Sequence, residues 1–109
     1  MADLPRPLSD RERSVLDALL AADFPGVEAL RDQAASLQVV GRCDCGCPTI
    51  YFSTAPSRHQ LVAEGASDDG QDVLLFAGNQ GLDSLESSWT TASPPAEFPS
   101  ADGLAVRTR

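Results

Sequence analysis

Three cysteines stand two residues apart in the segment Gly41-Arg42-Cys43-Asp44-Cys45-Gly46-Cys47-Pro48. Thiolates are soft donors and bind zinc or copper(I) well. Alternate residues on an extended chain point to the same side, so Cys43, Cys45 and Cys47 can present three sulfurs together. Gly46 lets the chain curl around one ion. His59, the single histidine of the sequence, follows Cys47 by twelve residues and is the candidate fourth ligand of a Cys3His zinc site; Asp44 is a weaker alternative. Two features weigh against this reading. Structural zinc sites commonly use two pairs of ligands spaced by two to four residues, and here there is one tight Cys-x-Cys-x-Cys. Free cysteine also packs readily as a small buried hydrophobe.

The same thiols allow a second chemistry. A nucleophilic cysteine needs a base such as His59 and an electropositive setting that favours the thiolate. Arg42 is adjacent in sequence, but strand neighbours face opposite sides. The Cys-x-x-Cys spacing of redox proteins is lacking, and no serine sits in a nucleophile elbow. Asp68, Asp69 and Asp72 flank Gly70 without the acidic spacing of a calcium loop, and read as a solvated turn. A disulfide framework is disfavoured: the cysteine count is odd, and residues two apart on an extended segment have poor geometry for a bridge.

These residues must be positioned by a small fold. A chain of 109 residues fits one domain, and its 42% hydrophobic content is that of an ordinary globular protein. Ser9-Asp10-Arg11-Glu12 is a capping box that opens a helix, and Val15, Leu16, Leu19 and Leu20 line its inner stripe to about Ala22. Asp23 is the expected cap of a second helix, with Pro25 in its first turn and Val27, Leu30 and Ala34 facing inward. The pattern then changes. Strands are expected at 37–42, at 49–53, more weakly at 59–64, at 72–76 and at 82–89, with Gly78-Asn79-Gln80-Gly81 as a hairpin loop between the last two. Leu85 and Trp89 share one face of the final strand.

Helices ahead of strands predict an α+β fold: two N-terminal helices packed on an antiparallel sheet of about four strands. Residues 1–91 form the single domain. Residues 92–109, with Pro94, Pro95 and Pro99, form an irregular tail that is a strap or disordered, with Phe98 and Leu104 as its pins.

The basic residues are eight arginines, against sixteen acidic residues, for a net charge of −8. Such a surface repels nucleic-acid backbones and anionic membranes, so neither is expected as a partner. An acidic surface favours a basic protein partner, docked on an exposed face or edge of the sheet. No apolar run of membrane-spanning length and no basic leader with an apolar stretch is present, which predicts a cytoplasmic protein.

Arg6-Pro7-Leu8, Phe24-Pro25-Gly26, Gly41 to Ile50 and the Leu74-Leu75-Phe76 to Gly81–Glu86 hairpin occur in that order. Over roughly residues 6–90 the chain resembles a group of short uncharacterised proteins of high-GC Gram-positive bacteria. The resemblance implies a bacterial, stand-alone domain and carries no activity. The expected function is a small non-enzymatic binding or regulatory protein. The alternatives are a zinc- or copper-binding protein using Cys43, Cys45, Cys47 and His59, and a thiol-dependent enzyme.

Overall fold

The computed structural model describes residues 4–54 and 60–108. The chain runs β1 (Arg6–Pro7), α1 (Asp10–Leu20), α2 (Val27–Ala34), β2 (Gln38–Val39), β3 (Gly41–Arg42), β4 (Ile50–Tyr51), β5 (Gln60–Ala66), β6 (Gln71–Gly78), β7 (Gly81–Trp89), a 3-10 turn (Ala101–Gly103) and β8 (Ala105–Thr108). Every strand pairing is antiparallel. The α+β class holds. The sheet is larger than expected: six strands in the order β3-β4-β7-β6-β5-β8, with β1 and β2 forming a separate two-stranded ribbon. The helices do not precede all the strands, because β1 comes first and pairs with β2 beyond them.

α1 begins where its cap dictates. Glu12 N–H donates to Ser9 Oγ at 3.2 Å, and Ser9 N–H donates back to Glu12 Oε1 at 2.9 Å. Val15, Leu16, Leu19 and Leu20 are all buried against the sheet side. The second helix starts later than expected. Its cap is Gly26, in the left-handed region at φ 86°, with no side-chain cap from Asp23. Val27, Leu30 and Ala34 face inward as anticipated. Each helix end is closed by an arginine of the other: Arg13 donates to Ala34 O and Arg31 Nε to Leu20 O, both at 2.6 Å.

β6 and β7 are the centre of the sheet and bring Val73, Leu75 and Leu85 under the helices, each fully buried. Gln33 ties α2 to their hairpin, its Oε1 accepting from Leu82 N–H at 2.8 Å.

After Thr90 the chain is a strap with its two expected pins in place, and it ends in a strand that was not expected. Phe98 is 2% exposed and belongs to the core, and Leu104 packs against it. Beyond the prolines, β8 returns to pair with β5 at the sheet edge. Buried Gln71 holds the strap, its Nε2 donating to Ser87 Oγ at 3.1 Å and to Glu97 O at 3.2 Å. The prolines exclude ladder positions only where they stand, so the residues past Pro99 are free to form a strand. No helix among the described residues is long and apolar enough to cross a membrane.

Candidate metal centre

The cysteine segment is the tip of the β3–β4 hairpin. The ladder pairs Gly41 with Tyr51 and Arg42 with Ile50, and Cys43 N–H then donates to Thr49 O at 3.2 Å. Past that point the chain is no longer extended. Gly46 adopts φ 92°, a left-handed conformation that costs a glycine nothing and turns Cys47 back toward Cys43. The expectation of an extended Cys-x-Cys-x-Cys is therefore corrected. The sulfurs converge because the loop curls, not because alternate residues share a strand face.

The three Sγ atoms all lie within 4.8 Å of one another. Cys43 and Cys45 sulfurs are 2.9 Å apart, and Cys47 N–H donates to Cys45 Sγ at 3.4 Å. All three thiols are free; Cys45 is exposed, while Cys43 and Cys47 are half-buried. The reading of these cysteines as inward core residues does not fit, since none belongs to the hydrophobic core. His59 lies outside the described residues. Asp44 is exposed and its carboxylate is not part of the sulfur cluster.

Electrostatics differentiate the thiols. Hydrogen bonding to Cys43, and next to Cys47, holds the proton on Cys45 and pushes its pKa up to about 11. Burial alone pushes the Cys47 thiol up, but the Thr49 hydroxyl, Cys45, the Thr49 backbone N–H and Cys43 together outweigh it. The net result holds Cys47 below the ordinary thiol value.

Thr49, which the sequence marks only as a strand former, belongs to the site. It is 5% exposed. β4 pairs with β7 at Ile50–Leu85 and Tyr51–Ser84, and the ladder stops on the Thr49 side. Ser87 N–H, next along β7, is met instead by Thr49 Oγ1 at 2.9 Å. The hydroxyl accepts from β7 and favours the Cys47 thiolate, which ties the loop to the central sheet.

Beside the cluster is a cleft of about 420 Å³. Cys43 and Cys47 line it and Cys45 does not; the far walls come from β1, the start of α1 and the strap at Ala96–Phe98. Its charged lining is largely internally paired. Arg6 grips Glu12 through two hydrogen bonds of 2.9 Å, and Arg11 lies 3.5 Å from Glu97. Arg42 and Asp44, which line the same cleft, form no ion pair among the described residues.

No family model, no curated protein and no solved structure matches this chain. The site is therefore read from its own geometry.

Proposed function

We propose that this protein is a small metal-binding protein, and that Cys43, Cys45 and Cys47 hold one soft cation, Zn²⁺ or Cu(I), at the tip of the β3–β4 hairpin. The observation that carries the reading is the convergence of three thiol sulfurs to within 4.8 Å of one another on a loop outside the core. Metal–sulfur bonds of about 2.3 Å place neighbouring ligand sulfurs roughly 4 Å apart, so little movement is needed to close the site. An all-sulfur donor set selects a thiophilic ion over magnesium or calcium. The Thr49 hydroxyl is the outer partner that orients a ligand and supports its thiolate.

The test is native mass spectrometry of protein purified without chelator, with a count of reactive thiols before and after metal removal. The expected result is a mass excess of one zinc or copper, with three thiols protected until the metal is stripped. A metal-free mass with three thiols reacting at once in the folded protein refutes the reading. It returns the acidic sheet surface, and a basic protein partner, to first place.

A further inference from the structure

Among the described residues no fourth side chain joins the three sulfurs, and a tetrahedral zinc site takes four ligands. What stands next to the fourth position is open on one side and built on the other. Cys43 and Cys47 both line the 420 Å³ cleft and the exposed Cys45 does not, so the cleft adjoins the cluster at two of its three ligands. Asp44 also lines the cleft, but it is exposed and its carboxylate is not part of the sulfur cluster.

The cleft has a volume suited to a small ligand. Its cations are unequal. Arg6 is engaged bidentately by Glu12, which also caps α1, and Arg11 is engaged by Glu97 of the strap. Arg42 lines the same cleft, one residue from Cys43, and has no carboxylate partner among the described residues. A guanidinium in this position matches a carboxylate in geometry and charge.

Resting on the three-cysteine reading above, we infer that the fourth coordination position opens into the cleft and takes a small thiol bearing a carboxylate, its sulfur on the metal and its carboxylate on Arg42. Sulfur is the donor that a thiophilic ion prefers over water. On binding, a metal–water bond breaks, a metal–sulfur bond forms, and the thiol proton passes to solvent. The protein then acts on a metal shared with a low-molecular-weight thiol, as a carrier or exchange site does, rather than on a sealed structural ion.

The experiment uses the full chain loaded with one equivalent of Co²⁺, whose absorption reports thiolate ligation. 3-Mercaptopropionate and 2-mercaptoethanol are titrated against it in parallel. The expected result is a rise of about one third in thiolate-to-cobalt absorption, four sulfurs replacing three. 3-Mercaptopropionate should bind about tenfold more tightly than 2-mercaptoethanol, the contribution of one charged hydrogen-bonded pair. Arg42→Gln should abolish that preference and leave Co²⁺ affinity unchanged. A cobalt spectrum indifferent to both thiols overturns the inference while the three-cysteine site stands. Equal affinities for the two thiols, or bands lost because the thiol strips the metal, also overturn it. A chain that develops no thiolate-to-cobalt band at all overturns both this inference and the site beneath it.

Discussion

Thr49→Val tests how the sheet supports the cysteine loop. The substitution keeps the shape of the side chain and removes its hydroxyl. Two effects go with it: acceptance from Ser87 N–H at 2.9 Å and support of the Cys47 thiolate. Thr49 is 5% exposed, so water cannot readily replace the lost acceptor. Leaving a buried donor unsatisfied costs about 1–3 kcal/mol. Loss of an outer-sphere partner typically lowers metal affinity about 10–100-fold. Thr49→Ser retains the hydroxyl and gives up only a methyl group, about 0.8 kcal/mol. Urea unfolding of the metal-free protein, paired with Zn²⁺ competition against a chromophoric chelator, separates the two effects. Thr49→Val should be impaired in both assays and Thr49→Ser in stability alone. In the metal-free Val variant, Cys47 loses a donor that favours its thiolate. Its alkylation profile, followed by site-resolved mass spectrometry, should move to higher pH. Unchanged zinc affinity in Thr49→Val would refute the argument, as would a Ser variant as impaired as Val, which would assign the effect to methyl packing.

Other perturbations follow from the same geometry. Gly46→Ala meets no atom within 4 Å but forces an L residue to φ 92°, a strain of about 1–2 kcal/mol. Zinc affinity should fall, whereas Gly103→Ala, also unobstructed, should leave it unchanged. Burial pushes the Glu12 carboxyl up, but the Arg6 side chain and the Ser9 groups outweigh it and hold it below its ordinary 4.5. A depressed carboxylate stabilises the fold above its unfolded value and loses that contribution as pH falls through the folded one. Glu12→Gln should therefore be less stable than wild type by about 1 kcal/mol at neutral pH, and the gap should close below pH 4.5. A gap independent of pH in urea titrations would contradict this. Leu75→Ala, fully buried at the centre of the sheet, should cost about 2–5 kcal/mol by the same unfolding assay.

The elements legible in the sequence are those whose signals are local. The Ser9–Glu12 capping box, the α1 stripe and the Gly78–Gly81 turn were all readable because each is completed within a few residues. The start of α2 was misplaced because Asp23 and Gly26 are both acceptable caps, and packing of Phe24 into the core selects the later one. The residue pattern of 37–42 predicts one strand, yet β2 pairs with β1 while β3 pairs with β4. The break at Val40 reflects two competing partners, neither visible from the segment itself. β8 was missed because a four-residue edge strand after three prolines has almost no pattern of its own; its partner β5 creates it.

The cysteine cluster divides in the same way. Residue type and spacing alone marked Cys43, Cys45 and Cys47 as candidate ligands and selected the class of metal, because donor softness is a property of the side chain. The turn at Gly46 was also written locally. What only the tertiary structure decided is how the thiols differ and what stands beside them. Thr49 reaches Cys47 from one side and a β7 amide from the other, and the cleft is walled by residues from positions 6 to 98 of the chain. Proton affinities and open coordination positions depend on distances through space, and hydrogen bonds between remote strands exist only once the sheet has formed.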